Sequence, residues 1–382
     1  MKNKFLIIGA LLMGMSFGFT ACDDDDDNND SEFDSAANIN YTAENSASWL
    51  NYTRNVATLL RNDAESLYNA WAVDYNGQGD FATAFKNHAT SDYSSALSCI
   101  EQIIDGCTDI ANEVGTSKIG EPYALYIVGK KTEALYAVES WYSWHSKDDY
   151  TNNIYSVRNA YYGSRDGVIA DNSIASLIKE NNPTLHAEVV AAIELAASTI
   201  QAIPTPFRNN IASAETVAAM TACESLQSIL DKKLKPELAS FEDAALEPIV
   251  ESYVDNVVLP TYTDLRNGNA ALYEAVAALA ENPSDDTFKA AANAWLEARE
   301  PWETSEAFLF GPVDELGLDP NMDSWPLDQV AIVNILNSKD WAALEWSEDD
   351  DDEAIEAVQN VRGFHTLEFL LFKDGQPRKV SE

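Results

Sequence analysis

Ala270-Ala271-Leu272-Tyr273-Glu274-Ala275-Val276-Ala277-Ala278-Leu279-Ala280 is followed, after Glu281-Asn282-Pro283-Ser284, by a second alanine-rich run, Ala290-Ala291-Ala292-Asn293-Ala294-Trp295-Leu296-Glu297-Ala298. Alanine has the highest helix propensity, and its small side chain lets helices approach closely. Asn282-Pro283-Ser284 between the runs reads as a tight helix–helix connection. Residues 187–197 form a third such run. Residues 56–72, 94–110, 122–140, 184–203 and 217–233 carry apolar residues three and four apart, the spacing of one helical face. Convincing two-residue alternation is absent. From about residue 45 onward the sequence predicts an all-α protein built of helical bundles.

The chain has 382 residues, with 24 Lys+Arg against 63 Asp+Glu, a formal net charge of -39. So acidic a surface repels phosphate backbones, which argues against nucleic-acid binding and for attraction of cations. A hydrophobic fraction of 46% argues against global disorder. Four cysteines exclude a disulfide-built scaffold, and Cys99, Cys107 and Cys223 read as small buried residues.

Residues 1–21 read as a signal segment, with Lys2 and Lys4 before an apolar run. Phe19-Thr20-Ala21-Cys22 resembles the lipobox of bacterial lipoproteins, so Cys22 is the expected lipidation site and membrane attachment point. Residues 22–44, opening with Asp23, Asp24, Asp25, Asp26 and Asp27, read as an acidic tether. Such a run after the lipidated cysteine also resembles a surface-export signal. The expected division of the remainder is 45–240 and 241–382, with the boundary near Pro236. Six consecutive acids at 348–353 read as a solvated loop or helix start, since they lack the glycine and alternating ligands of a calcium loop.

The segment richest in chemistry is Arg362-Gly363-Phe364-His365-Thr366-Leu367-Glu368-Phe369-Leu370-Leu371-Phe372. On a helix, His365 and Glu368 project from one face and can share a metal ion. A buried His–Glu hydrogen bond is the other reading of the same spacing. His145-x-x-Asp148 shows how readily such pairs arise, and His145 by itself reads as an exposed polar residue at a helix start.

The block resembles the Gly-x-His-x-x-Glu signature of the imelysin family. Ala294-Trp295-Leu296-Glu297-Ala298-Arg299, Ser305-Glu306-Ala307-Phe308-Leu309-Phe310-Gly311-Pro312 and Trp325-Pro326-Leu327-Asp328 support it. Glu139-Ser140-Trp141-Tyr142-Ser143, Asp149, Asn153 and Asn159-Ala160-Tyr161-Tyr162-Gly163 resemble motifs usually found after the His-x-x-Glu helix, but here precede it. The order implies a circular permutation. The resemblance implies two related four-helix-bundle domains packed side by side with a site at their interface. It implies His365, Glu368, Glu306 and Asp149 as the cation site, with Gly363, Tyr142, Ser143 and Asn153 as binding positions.

Imelysins were classed as metallopeptidases, and other members are linked to iron uptake. A catalytic zinc takes about three protein ligands and a nearby base. No second histidine lies within a turn of His365, and a histidine with carboxylates suits iron better. The expectation is a non-enzymatic outer-membrane lipoprotein of the bacterial envelope, facing the periplasm or the surface. It would bind iron or an iron chelate and work with envelope iron-transport proteins. A zinc-dependent peptidase and a partner-binding module with a structural His–Glu pair are the alternatives.

Overall fold

Helices form where the apolar period is three and four. The computed structural model describes residues 35–347 and 350–380. Seven longer helices, Ser46–Ala72, Ala96–Glu113, Ser146–Tyr162, Pro183–Ala202, Ala214–Ile229, Leu259–Glu281 and Asp285–Glu303, carry the architecture. Ser95, Ser173, Ser213 and Ser284 each accept the amide of the third residue beyond, which satisfies a donor that the first helical turn leaves free. Among the described residues the strands are Phe372–Lys373 and Gln376–Pro377, an antiparallel pair around Asp374-Gly375. Both turn residues have positive φ, as a two-residue hairpin needs. The expected signal segment, Cys22, the aspartate run that follows it, and Glu348 and Asp349 lie outside the described residues.

Asn40–Glu382 forms one compact unit. Within it, two sets of four helices pack as closed bundles. Ser46–Ala72, Leu259–Glu281, Asp285–Glu303 and Gly363–Leu371 make one; Ala96–Glu113, Ser146–Tyr162, Pro183–Ala202 and Ala214–Ile229 make the other. The first helix comes from the 45–240 stretch yet packs with helices of the 241–382 stretch. Trp49 explains this: it stacks on Phe369, and its Nε1 donates to the Leu370 carbonyl at 3.0 Å. Tyr52 donates to the Val361 carbonyl at 2.7 Å.

The bundles touch where Asp285–Glu303 meets Ser146–Tyr162 and where the short turn Glu306–Phe308 meets Ala96–Glu113. The second contact is tight because residue 106 is glycine; a Cβ there would overlap the Ala307 carbonyl oxygen. The Ala307 amide donates to Ser156 Oγ at 3.0 Å. These contacts fix the turn that carries Glu306.

Two local expectations are corrected. Residues 122–140 are not one helix: Gly120–Ile127 stops, Gly129 turns with φ +94°, and a short helix Lys131–Tyr136 follows. Glycine tolerates that positive φ at little cost, so the break falls there. His145 does stand at a helix start, before Ser146–Tyr162, but it is not exposed; its side chain is 25% accessible and bonded to Asp149.

Candidate cation site

Arg299 stands at the centre, on the inward face of Asp285–Glu303, with no solvent-exposed surface. Its guanidinium reaches Glu303 one turn on at 2.5 Å, Asp149 at 3.6 Å, and Asp323. A buried guanidinium is tolerable only with such partners, and its planar fork lets it serve several at once. Asp323 ends the short helix Leu318–Asp323 and also accepts from Trp302 Nε1 at 2.7 Å. Burial alone would raise its pKa, but Arg299 and His365 hold it far below the usual carboxylate range.

His365 and Glu368 lie on Gly363–Leu371, every residue of which is buried. Gly363 starts the helix with φ +85°, and a Cβ there would come within 2.5 Å of the Met322 carbonyl oxygen. A larger residue would push the helix away from the segment carrying Asp323. Both ring nitrogens of His365 are engaged: Nε2 lies 3.1 Å from Asp323 Oδ1, and Nδ1 lies 3.4 Å from Glu368 Oε2. Burial and the Arg299 charge push its pKa down, yet the two carboxylates win and raise it to about 9. The two carboxylates favour the protonated ring, while Arg299 Nη2, 3.4 Å from Nε2, opposes it. Glu368 Oε1 accepts from the Ser143 amide and from Ser143 Oγ, each at 2.7 Å, so this carboxylate is saturated with donors.

Asp149 and Asn153 follow His145 along one face of Ser146–Tyr162, four and eight residues on. Asp149 accepts from His145 Nδ1 at 2.8 Å and from Ser140 Oγ at 2.5 Å. Burial disfavours the Asp149 charge, but His145 and Arg299 hold its pKa low. Asn153 Nδ2 donates to Glu303 Oε2 at 2.5 Å. Tyr142 packs edge-on against Phe369 and contributes through its backbone, whose carbonyl accepts from the Gly375 amide at 2.8 Å.

Among the described residues the four expected cation ligands do not form one group of ligand atoms within 4.8 Å: His365 and Glu368 adjoin each other, Asp149 pairs with His145 and Arg299, and Glu306 groups with Glu303 and Asp323. Among the described residues, the group that brings three ligand atoms within 4.8 Å of one another is Glu303, Glu306 and Asp323. Burial pushes Glu303 up to about 8, with Arg299 only partly opposing it, and drives Glu306 well above its usual value. Glu303 Oε1 is near the Arg299 nitrogen but has no hydrogen bond of good direction.

More carboxylates surround this group. Lys118, placed by the π-helical turn Val114–Lys118, is buried and pairs with Glu139 at 3.1 Å and Glu113 at 3.7 Å. Burial lowers the Lys118 pKa, but Glu139 and Glu306 raise it well above normal. Asp319 and Glu113 are exposed, yet burial raises both, Asp319 to about 7. Eight carboxylates (Glu113, Glu139, Asp149, Glu303, Glu306, Asp319, Asp323, Glu368) thus face four cationic groups (Lys118, His145, Arg299, His365). The deficit of positive charge can be met by protons or by a cation.

Sequence reasoning passed over Asp323, Glu303, Lys118 and Asp319. Arg299 and Glu303 at one-turn spacing, and His145, Asp149 and Asn153 along one helix face, were the available signals. Lys118 and Asp319 had none.

The fold and site define an all-α protein whose two four-helix bundles meet at a buried charge cluster. The profile of the imelysin (peptidase M75) family matches residues 23–232 and 258–381, and the chain belongs to that family. An imelysin peptidase from Bacteroides ovatus, solved by crystallography, is 62% identical with a TM-score of 0.89, over 90% of this chain and 99% of that one. Iron-regulated protein A of Synechococcus elongatus is 34% identical over 128 residues. That match covers 34% of this chain and 32% of that protein, so the chain spans about a third of this relative's length.

Proposed function

We propose that this imelysin binds a hard cation, iron, between Glu303, Glu306 and Asp323. The observation that carries the proposal is the convergence of three carboxylates in a region short of positive charge. Oxygen-only ligands suit hard cations, and a bound ion would relieve the raised pKa values of Glu303 and Glu306. Iron is favoured over other hard cations by the name of the Synechococcus relative. Asp319 and Glu113 would attract the ion from solvent, and Arg299 would hold two of the ligands in place. His365 and Glu368 then act as a positioning pair: His365 orients Asp323, and Glu368 with Ser143 orients His365.

Titration calorimetry with ferrous and ferric iron tests this. Glu306→Gln is expected to weaken binding at least about tenfold, the scale of a lost ligand or its support. Equal affinity of the variant and the parent protein sinks the assignment. A zinc peptidase gains less support, because the group of three ligand atoms among the described residues contains no histidine, and both nitrogens of His365 lie beside carboxylates. Envelope attachment through Cys22 and a role in iron uptake complete the proposal. Release of a Cys22→Ala variant from the membrane fraction is the outcome expected.

A further inference from the structure

Large aliphatic side chains at the surface of this molecule keep company with acids, with one exception. Among the described residues Ile127 and Val128 are the adjacent pair of them, 59% and 70% exposed. The others, such as Val73, Val168 and Leu195, stand singly, each within two residues of an acid. Between Glu121 and Glu133 the sequence holds no acid, and it carries Tyr123, Tyr126, Lys130 and Lys131 there. In a chain of formal charge -39, this is a stretch that an anionic surface does not repel.

The pair stands at the corner between the short helices Gly120–Ile127 and Lys131–Tyr136. Their main packing partners are each other and the π-helical turn Val114–Lys118, so the corner is the outer end of a helical hairpin. The Gly129 amide donates to the Tyr126 carbonyl at 3.1 Å and the Lys130 amide to the Leu125 carbonyl at 3.0 Å. With Gly129 at φ +94°, these bonds close the helix end without help from neighbours and hold the apex in one shape. A Cβ on Gly129 would meet nothing within 4 Å, so space beside the apex is open. Tyr123, one turn before Ile127, shares its helix face, and both tyrosines are half-buried. Lys131 lies over the Tyr126 ring at 5.3 Å, and Lys130 pairs with the exposed Glu133 at 2.8 Å.

We propose that this apex is a contact site for the anionic surface of a phospholipid bilayer. Ile127 and Val128 enter the acyl boundary, Tyr123 and Tyr126 lie at headgroup level, and Lys130 and Lys131 meet the phosphates. Each side chain takes the layer its chemistry favours. A protein partner fits the apex less well. A stable protein interface covers roughly 800 Å² on each side, far more than two aliphatic side chains and the edges of two tyrosines provide. So small a contact is weak by itself, and on a chain tethered through Cys22 it sets which face turns to the bilayer. The contact uses no residue of the cation site; only its orienting role rests on the envelope attachment proposed above.

The test places a solvatochromic amino acid in the full chain in place of Val128 or, as a control, in place of Val73 beside Asp74. Vesicles of mixed phosphatidylcholine and phosphatidylglycerol are then added. A blue shift and shielding from iodide are expected at 128 and neither at 73. Lys130→Glu combined with Lys131→Glu should lower the ratio of shielded to quenchable probe at 128 at least about tenfold, the scale of two basic contacts with an anionic surface. Both lysines are exposed, so the fold is kept. Attachment through Cys22 alone shifts neither probe, so the two readings fail separately. No shift at 128, equal shifts at both positions, or a shift indifferent to the lysine reversal overturns the proposal. A shift that appears without lipid and grows with protein concentration assigns the apex to a second copy of the chain and overturns the bilayer assignment.

Discussion

Two corners of one charge cluster share Arg299 and differ in how well their charges are matched. In the first, His365 and Glu368 are complete: each ring nitrogen faces a carboxylate, and Glu368 accepts two donors from Ser143. In the second, Glu303 and Glu306 crowd Asp323, and burial raises both well above the ordinary carboxylate range. The first corner contains the residues with a sequence signature, and the second gathers three carboxylates within 4.8 Å of one another. On the function proposed above, the motif marks the part that positions a site rather than the part that binds.

Breaking the shared centre gives the largest effect. Arg299→Ala leaves Glu303 and Asp323 without their main counter-charge in a buried setting, and takes one of two from Asp149, so about 3–5 kcal/mol of stability should be lost. Urea unfolding measures it; a loss below about 1 kcal/mol, the level of a surface pair, would mean that the cluster is already compensated by other means. Separating the corners comes next. Glu303→Gln should weaken iron binding at least about tenfold, while Glu368→Gln should lower stability more than it lowers affinity. Equal loss of affinity in both variants would erase the distinction drawn between them.

Gly106→Ala probes the second corner from outside it. The added methyl overlaps the Ala307 carbonyl, so about 1–3 kcal/mol of destabilisation and a weakened iron isotherm should appear together. A fully stable variant with parental affinity would show that the Glu306 turn is not held by this contact. The smallest expected effect is a pH dependence at the outer edge. Burial lowers the His145 pKa, but Asp149 and Asp148 raise it to about 9 from an ordinary 6.5. A raised histidine stabilises the fold fully below about 6.5, and that contribution fades as pH climbs through about 9. The melting-temperature gap between the parent protein and His145→Gln should shrink across that window; a constant gap contradicts the ion pair.

How much of this could be read from the sequence differs between fold and site. Helices were legible wherever apolar spacing and alanine content agreed, as in Leu259–Glu281 and Asp285–Glu303. The break at Gly129 was missed because one glycine inside a helical pattern is often tolerated. The Asp374-Gly375 hairpin was missed although Asp-Gly is a strong turn signal, since its strands are only two residues long. His365 and Glu368 were found through spacing and resemblance. Glu303, Asp319 and Asp323 sit in segments where an acid looks like any surface acid, and only tertiary packing brings them into one charge cluster. The permuted chain order rests on the sequence order of the blocks and remains a proposal.

Anomalous scattering from crystals soaked with iron tests the central assignment most directly. An iron peak within coordination distance of Glu303, Glu306 and Asp323, with His365 still bonded to Asp323 and Glu368, is the predicted result. Iron bound to a nitrogen of His365, or no iron at this cluster at saturating concentration, would contradict it.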